Sequence, residues 1–387
     1  MHYSSHLATV KQLLSQYTPE VPLHLYLKTY FRQNKKHGSK DRKLISELCY
    51  NYFRLGLAAK NVFIEERILA GFFLCQNSSS DFLRFFKPEW NEIISKTPIE
   101  KLAVLNWNNQ NNIFPFKDEL SNEVDYEKFN ISFLRQPKLF IKIRPGYKNV
   151  VFKKLQETDL PHKIISQSCI ALPNASKIDS VIQLDKEAVV QDYNSQRVGE
   201  LIKLAIGNQQ SVINVWDCCA ASGGKSVMAY DINPAIQLTV SDKRESILQN
   251  LRQRFAKAGI KNYTSFIVDL ATGDQQPKTE NFDFIIADVP CTGSGTWSRT
   301  PEQLYYFNLK QIKKYSDLQK QIIENAMPYL KPGGWFLYIT CSVFRKENED
   351  VVGFIKDKFK LNTVKMELLK GYEIYADTMF AALFKAG

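Results

Sequence analysis

The sequence predicts an α/β protein: a mostly parallel, doubly wound sheet, preceded by an all-α domain and a small α/β module. Three observations carry this. From residue 211 onward, apolar runs ("SVINVWD", "IQLTVSD", "TSFIVDL", "FDFIIADVP", "GWFLYITCS") alternate with stretches of helical period, as expected of strands whose two faces are both covered by crossover helices. Residues 1–129 carry helical spacing only, and residues 130–190 mix the two periods. The expected domains are therefore 1–129, 130–190 and 191–387.

Taken in order, "SKDRKLISELCYNYFRLGLA" places Leu44, Ile45, Leu48, Cys49, Tyr52 and Phe53 on one helical face, with Ser39 as the expected N-cap. Helices follow at "NVFIEERILAGFFL" and "IEKLAVLNW", parted by the polar loops "QNSSSD" and "NWNNQNN". In the module, "KLFIKIRP" alternates as a strand, "KNVVFKKLQET" reads as a helix, and "HKIISQSCIAL" as a second strand. "DYNSQRVGELIKLAI" resumes a helix. Between the later strands, "ESILQNLRQRFAKAGI" and "LKQIKKYSDLQKQIIENAMPYLKPGG" are helical and end in well-placed Gly or Pro. No internal repeat or low-complexity tract interrupts this order.

Composition narrows the function classes. With 387 residues, 44% of them hydrophobic, the chain can build proper cores. No apolar run approaches the roughly 20 residues of a membrane helix, and the amphipathic start is unlike a secretory signal. A cytoplasmic protein without membrane attachment, expected to be a monomer, follows. Seven scattered cysteines are an odd number and no disulfide framework, so they are expected to be thiols, most of them core filler.

The formal charge of +11 is concentrated at the front: residues 1–60 hold ten Lys or Arg against Glu20, Asp41 and Glu47. Part of it is the cluster "RQNKKHGSKDRK" at residues 32–43. One such cluster is as often a solvated loop as a binding surface. With a pI near 9.1 it favours a polyanion, whose neutralised phosphates release counterions. Nucleic acid is the leading partner.

The loop "DCCAASGGKS", residues 217–226, follows the first strand of the sheet and opens a helix. A phosphate loop would need glycine five residues ahead of Gly224, and that position is Cys219. A dinucleotide fingerprint needs three spaced glycines, and only Gly223 and Gly224 are present. What remains is a tight strand-to-helix turn whose small residues let a bulky ligand rest against backbone, at the strand ends where such sheets bind ligands.

Three acids follow at strand ends: Asp242 closes the second strand, Asp269 the third and Asp288 the fourth. One such carboxylate is ordinarily a cap or a surface group. Three in register beside the small-residue loop resemble the cofactor cleft of a class I methyltransferase, a Rossmann-like fold using S-adenosylmethionine, with Asp242 placed for a ribose diol.

Cys291 follows the fourth strand and Cys341 the fifth, so adjacent parallel strands would bring both thiols to one cleft. Two cysteines are ordinarily core residues; their place at strand ends argues otherwise. Carbon 5 of cytosine is too electron-poor to take a methyl from a sulfonium until a thiolate has added at carbon 6. Asp288 is placed to bond the ring near nitrogen 3. All five histidines precede residue 163, so histidine triads and histidine-ligated metals are not expected in the sheet, and no metal is expected at all.

Together "DCCAASGGKS", "SDKRES", "VDL", "ADVPCTGSGTWSRTPE" and "YITCSVFRKENEDVV" resemble the Sun (Fmu) family of RNA cytosine-5 methyltransferases over residues 190–387. The helical, basic front half, best at "SKDRKLISELCYNYFRLG", is similar to the NusB-like domain of that family's bacterial ribosomal RNA branch. The resemblance implies S-adenosylmethionine as cofactor, contacted by Cys219, Ala220, Ala221, Ser222, Gly223, Gly224, Lys225, Asp242, Asp269 and Asp288. It also implies Cys341 as nucleophile, Cys291 as the group aiding release, and RNA, with ribosomal RNA favoured, as substrate. Lys225 receives no proton-transfer role. The family usually has Pro where this chain has Ser222, so a slightly looser turn with retained binding is expected.

Four alternatives stand beside this one. Amino-group methyltransferases carry an acidic or amide residue with Pro-Pro-aromatic at the same strand end, which "DVPC" does not fit. A transfer RNA substrate is compatible with the same motifs. DNA cytosine-5 methyltransferases use a Pro-Cys cysteine as nucleophile and need no "TCS". A non-catalytic RNA-binding or assembly protein would have no need of both cysteines and all three acids.

Overall fold

The structure is a computed structural model that describes residues 3–105, 107, 112–208, 211–273 and 281–387. The chain divides into two compact units. The expected loop at 106–112 lies mostly outside the described residues.

The first unit comprises residues 1–118, 125–136 and 296–308, and its regular elements are all helical. Helices Tyr3–Gln16, Leu23–Gln33, Ser39–Arg54 and Ile64–Cys75 supply most of one core, including Val10, Leu13, Ile45, Leu48, Phe53, Ile68 and Phe73. Three- and four-residue steps, Val10 to Leu13 and Leu14, Ile45 to Leu48 and Cys49, and Ile68 to Phe72, put the apolar side chains on one face, which is why this stretch folds as stacked helices. Ser39 is the first helical residue and not the cap. Gly38 takes the cap position, and its N–H donates to Asp41 Oδ2 at 3.0 Å, so the acid two positions into the helix replaces the expected serine hydroxyl.

Residues 296–308 were expected to continue the sheet domain, yet they pack within this helical unit. Trp297 and Phe307 lie 4.7 Å apart beside Phe114 and Phe116, and Tyr305 stands against Arg67, whose guanidinium also lies 4.2 Å over Tyr52. The buried Arg67 is held by the carbonyls of Gly56 and Ala58.

The second unit comprises residues 119–124, 137–295 and 309–387. It opens with a four-stranded antiparallel sheet of β1 (Leu139–Ile143), β2 (Lys163–Ile164), β3 (Cys169–Leu172) and β4 (Ala188–Val190), in the order β2-β3-β1-β4. "HKIISQSCIAL" is thus a hairpin and not one strand, because Ser166 and Ser168 turn the chain between β2 and β3.

The main sheet has seven strands in the order β10-β11-β9-β8-β5-β6-β7. They are β5 (Asn214–Asp217), β6 (Gln237–Asp242), β7 (Tyr263–Ile267), β8 (Phe282–Asp288), β9 (Leu330–Thr340), β10 (Asn362–Leu369) and β11 (Met379–Lys385). β5 to β9 are parallel, as expected. The closing β10–β11 hairpin was not expected, and β11 runs antiparallel to β9. Successive side chains alternate between two buried faces. Val215, Phe284, Ile286 and Leu337 face helices Tyr193–Ile206, Gly224–Ile232 and Glu245–Ala258, while Trp216, Ile285, Ala287 and Tyr338 face helices Lys310–Ala326 and Glu349–Phe359. No described helix is long and apolar enough to cross a membrane.

Candidate active site

The order of the sheet reverses at β5, whose neighbours β6 and β8 run outward to opposite edges. Such a reversal opens a crevice beyond the carboxyl ends of the strands. The turn after β5 is shaped for it: Ala221 and Gly223 take φ of 46° and 81°, and Gly223 N–H closes on Ala220 O at 2.8 Å. A Cβ on Gly223 would lie 2.8 Å from the Phe255 ring, so only glycine allows the helix to start this close to its neighbour. Ser222 is exposed, and both its carbonyl and its Oγ accept from Arg254 Nη1 at 3.1 Å. The hydroxyl thus contributes a bond where proline would contribute a fixed φ.

A cavity of about 560 Å³ lies at these strand ends. Of the loop and acid residues singled out above, Cys219, Ala221, Asp242, Asp269 and Asp288 line it, with apolar Val268, Leu270, Val289 and Ile322. Ala220, Ser222, Gly223 and Gly224 shape the turn behind it. Asp242 accepts from Ala221 N–H at 3.1 Å and Arg244 N–H at 3.0 Å, which fixes its carboxylate at the rim. Asp269 lies two residues beyond β7 rather than at its last position, and caps its own turn through Ala271 N–H. Lys225 Nζ donates to Asp288 Oδ2 and to Ser195 Oγ, both at 2.9 Å.

β8 and β9 pair in parallel with Asp288 opposite Ile339, so Cys291 and Cys341 emerge side by side. Their Sγ atoms are 3.2 Å apart and both residues are half-buried, without a disulfide. The hydrogen bond with Cys341 and burial both push the Cys291 thiol well above the ordinary value, and either sulfur of the pair can be the donor. Cys49, Cys169 and Cys218 are buried and the other four cysteines are half-buried, so fewer than the expected majority are core residues.

Two residues that sequence reasoning passed over organise this site. Glu347 is fully buried and accepts from Thr292 N–H (2.8 Å), Thr292 Oγ1 (2.7 Å), Ser342 Oγ (3.0 Å) and Gln319 Nε2 (3.2 Å). It therefore ties the residue after Cys291 to the residue after Cys341. Burial pushes its carboxyl up. Within "RKENED" it looks like any solvated acid, and no periodicity marks it. Asp217 ends β5, and the rule that picked out Asp242 and Asp288 would have found it. Burial raises its pKa to about 7, against the opposing pull of Ser226 Oγ at 2.6 Å. Among the described residues no cluster of three His, Cys, Asp or Glu could hold a metal.

Residues 201–381 match the family model described as 16S rRNA methyltransferase RsmB/F. Curated relatives named ribosomal RNA small subunit methyltransferase B include one from Shewanella oneidensis, 33% identical over 173 residues, covering 44% of this chain and 38% of the relative. Another, from Xanthomonas campestris, is 29% identical over 190 residues, covering 46% and 41%. The matched stretch is thus about two fifths of the length of these relatives. Among solved structures, PH0851 superposes with a TM-score of 0.67 at 19% identity over 99% of both chains. A methyltransferase homolog protein from Pyrococcus horikoshii gives 0.56 at 20% identity over 70% of this chain and 92% of its own. The shared fold is that of class I methyltransferases, and residues 201–381 of this chain are similar to the RsmB/F methyltransferase family.

Proposed function

We propose that this protein transfers a methyl group from S-adenosylmethionine to carbon 5 of a cytosine in RNA, with small-subunit ribosomal RNA as substrate. The observation that carries this is the pair of half-buried thiols, 3.2 Å apart just beyond the ends of β8 and β9, with Cys291 following Pro290, which lines the cavity. The names of the curated relatives support the ribosomal substrate.

The cavity at the strand ends suits the cofactor. Its apolar side chains match an adenine and the Asp242 carboxylate a ribose diol, while Asp269 and Asp288 complement the positive charge of the rest. We assign Cys219, Ala221, Asp242, Asp269 and Asp288 to contact, and Ala220, Ser222, Gly223, Gly224 and Lys225 to the turn and to orienting Asp288. Bound S-adenosylmethionine supplies an electrophilic methyl.

The chain's own residues do the rest. The Cys341 thiolate forms a bond to carbon 6 of the cytosine, and the ring electrons move onto carbon 5, making it nucleophilic. Asp288, held by Lys225, bonds the ring near nitrogen 3 by accepting from the adjacent exocyclic amino group, which fixes the base over the thiol. After transfer, solvent water takes the proton from carbon 5, the bonding pair left behind restores the ring double bond, and the thiolate departs with the pair of the carbon–sulfur bond. Cys291, in contact with Cys341, assists that departure. The target base must leave its stack to reach the thiol. Arg32, Lys35, Lys36, Lys40, Arg42 and Lys43 are all exposed on the helical unit and, with the 130–190 module, supply phosphate contacts.

Trapping on RNA carrying 5-fluorocytosine tests the reading. Wild type should form an adduct that survives denaturation, Cys341→Ala none, and Cys291→Ala should accumulate adduct on unmodified RNA. An adduct that persists in Cys341→Ala, or that maps to Cys291, refutes it.

A further inference from the structure

A second cavity, of about 580 Å³, lies in the sheet unit outside the thiol site, where β1, helix Tyr193–Ile206 and the loop joining β10 to β11 meet. Four cations (Lys138, Lys163, Arg197 and Lys370) line it against one acid, Glu373. Aromatic surface is interleaved with the charge. Tyr375 is exposed at the rim with Lys138 Nζ 5.3 Å from its ring centre, and Tyr193 packs on Phe140 at 5.9 Å.

Three features mark this as a built site rather than a surface hollow. Tyr375 is held at φ 62°, a left-handed conformation costly for a bulky residue, and so must be imposed by its surroundings. Its carbonyl accepts from Lys138 N–H at 2.9 Å, and the flanking Ile374 and Ala376 N–H groups both close on Gly371 O at 3.0 Å. Asn194, 1% exposed and lining the cavity, donates to Leu369 O and Asp377 O, yet its Oδ1 has no donor. A buried acceptor of this kind can take a hydrogen bond from a water or from a hydroxyl or amino group of a ligand.

The loop that carries Tyr375 is tied through backbone bonds to the segment bearing Cys341. Gly295 N–H donates to Cys341 O at 2.8 Å, and Thr378 N–H donates to Gly295 O at 2.9 Å, so the loop bearing Tyr375 is hydrogen-bonded to the backbone behind the nucleophile.

We propose that this cavity binds a nucleotide of the single-stranded RNA flanking the target cytosine. Its base lies on Tyr375, its phosphates on Lys138, Lys163 and Lys370, and a ribose hydroxyl or base amino group on Asn194 Oδ1. This rests on the RNA substrate argued above. Aromatic stacking joined to a positive groove is how single strands are held, and a base displaced from a helix for modification leaves its neighbours unstacked as well.

The test uses the full chain and a fluorescent single-stranded RNA oligonucleotide. Tyr375→Ala and the double variant K138E/K370E should each weaken RNA binding about tenfold, and Tyr375→Phe should restore it, while S-adenosylmethionine affinity stays at the wild-type value. Photocrosslinking of an iodouridine-bearing oligonucleotide should label Tyr375 in wild type. Unchanged RNA affinity in both variants, or crosslinks confined to the Cys291–Cys341 cleft, overturns the inference even where the wild type methylates RNA. A wild type that binds acidic peptide but no RNA overturns it together with the function above.

Discussion

Replacing Glu347 should cost more than any other single polar change near the thiols, and the structure gives the size. Truncation in Glu347→Ala removes the acceptor of two fixed donors: the N–H of half-buried Thr292, and one N–H of buried Gln319 Nε2, whose bond to Pro290 O at 3.0 Å remains. The hydroxyls of Thr292, Ser294 and Ser342 lie 3.2 to 3.4 Å from one another and can rotate to bond among themselves, so they add little. Loss of both bonds and of the packed side chain costs about 2–6 kcal/mol, partly offset by removing a carboxyl that burial already disfavours, for a net of about 3 kcal/mol. In a unit of this size that lowers Tm by about 6–12 °C. Glu347→Gln keeps an oxygen where both N–H groups converge and turns its amide to the hydroxyls, so its loss should stay below about 1 kcal/mol. Calorimetry of the three proteins reads the stability, and the 5-fluorocytosine adduct rate reads the geometry, which should fall with Ala and survive with Gln. Because burial raises the Glu347 pKa above its unfolded value, its contribution is complete below the unfolded pKa and is lost as pH rises through the folded one. Glu347→Gln removes that slope. A Glu347→Ala protein that melts within about 2 °C of wild type with an unchanged adduct rate refutes the reasoning.

Two further outcomes follow from neighbouring residues. Asp217, raised to about 7 against 3.8 when unfolded, contributes stability that is complete below the lower value and lost as pH rises through the upper one. Asp217→Asn should flatten urea stability between pH 5 and 8, and parallel curves for the two proteins would exclude a buried proton there. At Gly295 a Cβ would sit 2.0 Å from Thr378 O and 3.0 Å from Cys341 O, both backbone atoms that cannot swing aside. Gly295→Ala should cost about 3 kcal/mol and slow adduct formation at least tenfold; a variant with wild-type melting and adduct rate would show that the two loops are not rigidly joined.

The alternation of Val215 and Trp216 between two buried faces, the helical steps of Ile45, Leu48 and Phe53, and the turn after β5 were legible in the sequence, because each depends on residues close along the chain. So was the rejection of a phosphate loop, which rests on the identity of Cys219 alone. Even the meeting of Cys291 with Cys341 could be anticipated, since adjacency of two parallel strands needs only their order. Tertiary structure decided what depends on register and burial. The 3.2 Å between the sulfurs follows from the pairing of Asp288 with Ile339, and the role of Glu347 from being sealed beneath both loops. The departure of residues 296–308 to the helical unit follows from aromatic partners distant in sequence, Phe114, Phe116 and Arg67. The strained Tyr375 belongs here too, because its conformation is imposed through Lys138, a residue more than two hundred positions earlier whose proximity no local pattern records.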